Sequence, residues 1–139
     1  MRIMAFDYGT KRVGIAVTDP LQLIATALDT VHTKDVQAYL KTYVAQENVS
    51  LFVVGMPRQL DGSDSESAQH IKGFVRTLRR TFPAIPVETI DERFTSKMAS
   101  SSIAQSSLSR KRRQDKALID RVSAVLILQS YLERRELQS

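Results

Sequence analysis

The chain has 139 residues, 42% of them hydrophobic and 25% charged, with no cysteine and a formal net charge of +5. That length suits one domain with a real core. The composition excludes a disulfide frame and a Cys-ligated zinc site, and no run of 18 apolar residues is present to span a membrane. The first strand begins at the N-terminus and leaves no room for a signal peptide, so a single cytoplasmic domain over 1–139 is expected. The positive charge suits a polyanionic partner such as nucleic acid, although a merely basic domain would carry it too. Its distribution is uneven: Arg110, Lys111, Arg112, Arg113 and Lys116 supply five of the 20 Lys and Arg. Such a block is usually solvated and often touches an anionic partner.

In chain order, residues 1–8 read as a strand that is apolar from Ile3 to Phe6. Both of its faces are then covered, as in sheets sandwiched between helices. A turn over 9–11 leads to a second strand over 12–18, and the short connection makes the pair antiparallel. Asp19-Pro20 breaks the chain, and residues 25–31 form a third strand. Residues 33–48 have helical spacing, with Val36, Leu40, Tyr43 and Val44 on one face and Thr33 as the cap. Leu51 to Gly55 is a short buried strand.

Residues 56–64 are a loop, and Ser63-Asp64-Ser65-Glu66 has the form of a capping box. The next helix carries Ala68, Ile71, Phe74, Val75, Leu78 and Phe82 at three-to-four spacing. A last strand runs from Val87 to Ile90. Residues 95–105 can form a short helix, and 106–114 are polar and basic. The final helix covers 116–135, with Val122, Val125, Leu126, Gln129 and Leu132 along one line. Ile119, Ile127 and Tyr131 widen its apolar surface.

The order βββαβαβαα gives an α/β fold. Its five-stranded mixed sheet has the order 3-2-1-4-5, strand 2 antiparallel and helices on both faces. Ligand sites in such sheets gather at the carboxyl ends of the parallel strands. Three unusual stretches end there: Asp7-Tyr8-Gly9, Gly55-Met56-Pro57 and Asp91-Glu92-Arg93.

An acid at the end of a buried strand is costly unless paired or bound to a cation. Asp7 and Glu92 lie at strand ends, and Asp120 lies in an apolar stretch of the last helix. Carboxylates without nearby Cys or His favour hard cations, Mg²⁺ or Mn²⁺. Such ions can activate water against a phosphodiester. Plainer roles are open for each residue. Asp7 can cap the turn at Gly9 or Thr10. Glu92 can pair with Arg93 or Arg12, and Asp120 with Lys116 or Arg121. With strand 4 between them, the Asp7 and Glu92 backbones stand roughly 10 Å apart. Gly55 on strand 4 leaves space for the long Glu92 side chain, a second ion or a phosphate, and Gly9 lets a phosphate approach Asp7. His32 and His70 have no companion ligands and read as surface.

At these residues the sequence resembles the YqgF/RuvX family of Holliday junction resolvases, within the RNase H-like superfamily. The stretch from Asp7 to Ala16 fits D-x-G-x-K-R-x-G. Gly55-Met56-Pro57 with Leu60 and Gly62 fits a second motif. Asp91 to Ser96 resembles D-E-R-x-T-[ST], and Lys116, Asp120, Ser123-Ala124 and Ile127-Leu128-Gln129 fit a C-terminal helix. The resemblance spans essentially the whole chain, with Lys97-Met98 departing from the usual small or acidic residue.

It implies an RNase H-like fold and a Mg²⁺-dependent acidic centre at Asp7, Glu92 and Asp120. Gly9, Lys11, Arg12, Gly55, Pro57, Arg93, Arg110, Lys111, Arg112, Arg113 and Lys116 would meet the substrate. The implied activity is phosphodiester cleavage in branched DNA or at the 5′ end of precursor 16S ribosomal RNA. Cutting a junction symmetrically asks for a homodimer, whereas trimming RNA needs only a monomer. Two further classes remain: a catalytically silent nucleic-acid-binding module and an actin-like phosphotransferase, whose phosphate loop Asp7 to Lys11 also resembles. The latter needs two such domains and a second glycine-rich loop, and this chain has five glycines in all.

Overall fold

A computed structural model describes the backbone of residues 1–56, 66–91 and 116–138, and the side chains of these except 66–67, 91, 116–121 and 136–138. The elements are β1 (Arg2–Tyr8), β2 (Arg12–Thr18), β3 (Ala25–His32), α1 (Val36–Gln46), β4 (Val49–Met56), α2 (Glu66–Thr81), β5 (Val87–Asp91) and α3 (Lys116–Gln138). They form one five-stranded sheet of order β3-β2-β1-β4-β5. β2 is antiparallel to both β1 and β3, while β4 is parallel to β1 and to β5. The expected sheet is therefore present, strand for strand.

Alternation along β1 divides the core in two. Met4 and Phe6 point to one face, where Phe52, Val54, Val13 and Ile15 meet Val36 and Leu40 of α1 and Ile71, Phe74, Val75 and Leu78 of α2. Ile3 and Ala5 point to the other, where Ala16, Val53 and Ile90 meet Ala124, Ile127 and Leu128 of α3. The sheet is thus covered by α1 and α2 on one side and by α3 on the other.

Two expectations about the helices need correction. Thr33 does not cap α1. The helix starts at Val36 after Asp35, which makes no side-chain cap bond. The Thr33 hydroxyl instead donates to the Gly9 carbonyl at 2.9 Å, and the Thr33 amide to the Lys11 carbonyl at 3.0 Å. Thr33 lies two residues before the cap position because the β3–α1 connection is used to brace the β1–β2 turn. In α3, the line through Val122, Val125 and Gln129 is not the buried one. Ser123, Ala124, Ile127 and Leu128 are buried and Gln129 is exposed. The sheet surface under α3 is floored by Ala5 and Ala16, so small helix residues fit there better than valines.

Far from this turn, the β2–β3 hairpin is closed by Asp19. Its carboxylate accepts the amides of Ile24 and Leu23 at 2.8 Å and of Leu21 at 3.2 Å. These bonds, led by that of Ile24, hold its pKa below the ordinary value. Gln22 takes a left-handed backbone (φ 61), and Arg135 of α3 grips its side-chain oxygen at 2.6 Å. Among the described residues, no helix is long and apolar enough to cross a membrane.

Candidate active site

The carboxyl ends of β1, β4 and β5 lie together because the three strands are parallel neighbours. Phe6 pairs with Val54, Gly55 with Ile90 and Met56 with Asp91. Asp7 is half-buried at this edge and pairs across the hairpin with Gly14. Alternation puts Asp7 on the face of Ile3 and Ala5, under α3, and puts Gly55 on the same face two residues after Val53. The neighbours of Asp7 on β2 and β4 are therefore both glycines.

Helix α3 reaches the same corner. Its buried stripe contains Ser123, Ala124, Ile127 and Leu128. Position 120 lies one turn before Ala124 on that stripe. The corrected stripe places the Asp120 backbone on the sheet-facing side.

The turn after Asp7 is closed by backbone. The Gly9 amide donates to the Arg12 carbonyl at 2.8 Å. A Cβ on Gly9 would stand 2.8 Å from that same oxygen, so the turn alone requires glycine. Lys11 is exposed and Arg12 half-buried beside it. Glu92, Pro57, Arg93 and the basic run Arg110, Lys111, Arg112 and Arg113 lie outside the described residues, as do the capping box at 63–65 and the helix expected at 95–105. Lys116 is the first residue of α3, and its side chain, like that of Asp120, is not described. Among the described residues no cluster of three acids or imidazoles could hold a metal, as expected when two of the three anticipated acids are not among them. His32 and His70 are exposed, as anticipated.

Sequence reasoning missed one feature of this edge. A groove of about 270 Å³ is lined by Met56, Lys72, Val75, Arg76, Arg79 and Thr89. It opens beside the last residue of β4, and its described lining residues include three cations and no acid. From Ala68 to Thr81, α2 has Lys72, Arg76, Arg79 and Arg80 and not one carboxylate. Like charges three and four apart on a helix repel. That one-sided charge was the available signal. The apolar line of α2 does not reveal it.

Comparison with known proteins bears on the family and the fold. A family model described as RuvX, Holliday junction resolvase, matches residues 1–134. A Parabacteroides distasonis protein named "Putative pre-16S rRNA nuclease" is 49% identical over 137 residues, covering 99% of this chain and 98% of its own length. A Porphyromonas gingivalis protein of the same name is also 49% identical, over 132 residues. Among solved structures, T. thermophilus RuvC in complex with a Holliday junction substrate superposes with a TM-score of 0.57 at 17% identity, over 96% of each chain. The free Thermus thermophilus RuvC structure gives 0.54 at 13%. At that identity the likeness is one of fold, and it bears out the expected RNase H-like sheet. The family match and the near-full-length relatives carry the rest: this chain belongs to the RuvX family of nucleases.

Proposed function

We propose that the chain cleaves phosphodiester bonds in precursor 16S ribosomal RNA, with Asp7, Glu92 and Asp120 as a metal-holding acidic centre. The observation that carries this reading is the shared face of Asp7 and position 120 at the carboxyl ends of the parallel strands. Oxygen donors fit Mg²⁺ or Mn²⁺. Such an ion, when bound, stabilises charge on the phosphoryl group and acidifies water. Asp7 would hold it from a rigid strand, with Gly14 as its cross-strand neighbour adding no side chain there. Glu92 and Asp120 would complete the donor set.

Substrate would be held mainly through its backbone. Lys72, Arg76 and Arg79 offer a cationic groove on the α2 side of the sheet, beginning beside Met56. Lys11, Arg12, Arg93, Lys116 and Arg110 to Arg113 would add to it, with Pro57 and the glycines shaping the approach. Contacts of this kind position a substrate without reading sequence. The ribosomal substrate is favoured over junction DNA by the names of relatives that match this chain nearly end to end. A four-way junction is the second reading, favoured by the description of the family model.

Cleavage of both substrates by wild type and Asp7→Asn, with Mg²⁺ or Mn²⁺, tests the centre. Asp7→Asn should fold normally and lose about a hundredfold or more in rate, at least what an outer-shell change costs a metal site. Undiminished cleavage by Asp7→Asn would remove Asp7 from the chemistry. Cleavage of junction DNA alone would replace the ribosomal substrate with the second reading.

A further inference from the structure

Helix α2 has cations on one side and a different kind of surface on the other. Towards α1 it borders a crevice of about 420 Å³ lined by Tyr8, Gln37, Gln69, His70, Thr77 and neighbouring residues of α1, α2 and β1. Among the described residues lining it there is no Lys, Arg, Asp or Glu. The crevice is thus neutral, hydrogen-bonding and partly aromatic. Tyr8 directly follows Asp7 in β1, and its ring is stacked on Phe74 at 4.7 Å and 28°. One wall is therefore a held aromatic ring at the edge where Asp7 stands.

Gln37 supplies the second observation. Its Oε1 is buried and accepts no hydrogen bond from the described residues. A buried acceptor without a donor costs stability, and an apolar residue of similar shape would not. A position serving only the α1 core would be better filled by Leu or Met. Gln37 also lines the crevice, so its side-chain amide borders any ligand seated there.

We propose that this crevice binds one unpaired nucleobase of the substrate, stacked by Tyr8 and read by Gln37. The ligand is an uncharged planar heterocycle with an N–H donor. A phosphate suits the groove across α2 better than a crevice whose described lining has no Lys or Arg. A nucleic-acid strand passing over the sheet edge would place its phosphates against the cationic groove and Asp7, and turn one nearby base into the crevice. Single-stranded nucleic acid is generally held by such a combination of cationic track and aromatic stacking. The inference rests on the nuclease reading and adds to it a base preference, which backbone contacts alone cannot give.

The test uses full-length protein in the Asp7→Asn background, so that binding is read without cleavage. Single-stranded RNA and DNA oligonucleotides, each randomised at successive positions, are bound in Mg²⁺. The expected result is a preference for particular bases at one position, about two- to tenfold, the worth of one hydrogen bond. Gln37→Leu should flatten that preference, leave the slope of affinity against salt unchanged, and unfold at the same or a higher temperature. A preference in RNA alone would assign the crevice to RNA, and one in both polymers to the base irrespective of sugar. Gln37→Met, which keeps the length but not the amide, should behave as Gln37→Leu does. The crevice proposal is overturned by an unchanged preference in both folded variants, or by a wild type that binds without any base preference. Those results leave the nuclease reading standing. If no oligonucleotide binds and wild type cuts neither substrate, both fall together.

Discussion

The two faces of the sheet are built on opposite principles. Under α1 and α2 the contacts are large. Phe6 meets Phe52 edge to face at 5.5 Å and Phe74 at 5.5 Å, and Phe52 meets Phe82 at 5.6 Å. Under α3 no aromatic ring is fully buried among the described residues, and Ala5, Ala16, Ser123 and Ala124 lie buried among Ile3, Val53, Ile127 and Leu128. Bulk holds a sheet and its helices together whatever the details of approach. Small residues on both partners let a helix backbone come close and fix where it sits. The strand that contributes Phe6 to the first face contributes Ala5 and Asp7 to the second. Both faces supply stability, and on the proposed reading the small residues of the second would also set the position of α3 against Asp7.

The strongest way to break this contrast is to cut away bulk. Phe52 is fully buried between Phe6 and Phe82. Phe52→Ala should cost about 3–5 kcal/mol, the usual range for a buried aromatic reduced to alanine, read as a lower midpoint in urea. At low temperature, where the variant is still folded, its cleavage rate should fall by less than threefold. A larger loss in folded protein would mean that the aromatic face also positions the site.

Enlarging a small contact should do the reverse. Ala124 is fully buried against the sheet, so Ala124→Leu overpacks the α3 interface at about 1–3 kcal/mol. This loss is smaller than that of Phe52→Ala, yet cleavage should drop at least tenfold, because a shift of about an ångström at a site is enough to cost that much. Val125→Leu, at a half-buried neighbour in α3, serves as the control and should leave the rate near wild type. Equal activity of Ala124→Leu and wild type would detach α3 packing from the site.

The contrast also explains what was legible in the sequence. The strands, their order and the α2 core line were readable because apolar runs and turn residues announce themselves by hydrophobicity. The buried stripe of α3 was not, since Val122, Val125 and Leu126 outrank Ser123 and Ala124 on any apolar scale. What decides between them is the alanine floor of the sheet, which appears only after the strands are paired. Asp7 was legible as an acid in the wrong company. The sheet-facing place of position 120 follows only from the corrected stripe. The cations of α2 and the lone acceptor of Gln37 were illegible for another reason: each looks like an ordinary solvated helix residue until the crevice beside it is seen.

The smallest expected effect concerns how the far end of α3 is held. There the anchoring is polar. Tyr131 has its pKa raised first by burial and then by the neighbouring Glu88 carboxylate, with which it is hydrogen-bonded. The raised value means that the folded state favours the neutral phenol. Its contribution is fully present below the unfolded value of 10.0 and is lost as pH rises through the folded value. Tyr131→Phe should therefore cost about 0.5 kcal/mol at neutral pH, one partly exposed hydrogen bond, and make the alkaline fall in stability shallower. Tyr43 of α1, raised chiefly by burial, should flatten that fall in the same way when changed to Phe. The two variants separate in cleavage. If α3 is the element that positions the acidic centre, loosening its far end with Tyr131→Phe should lower the rate by a factor of about two, and Tyr43→Phe should not change it. A rate equally insensitive to both would confine the positioning role of α3 to the small-residue contacts around Ala124.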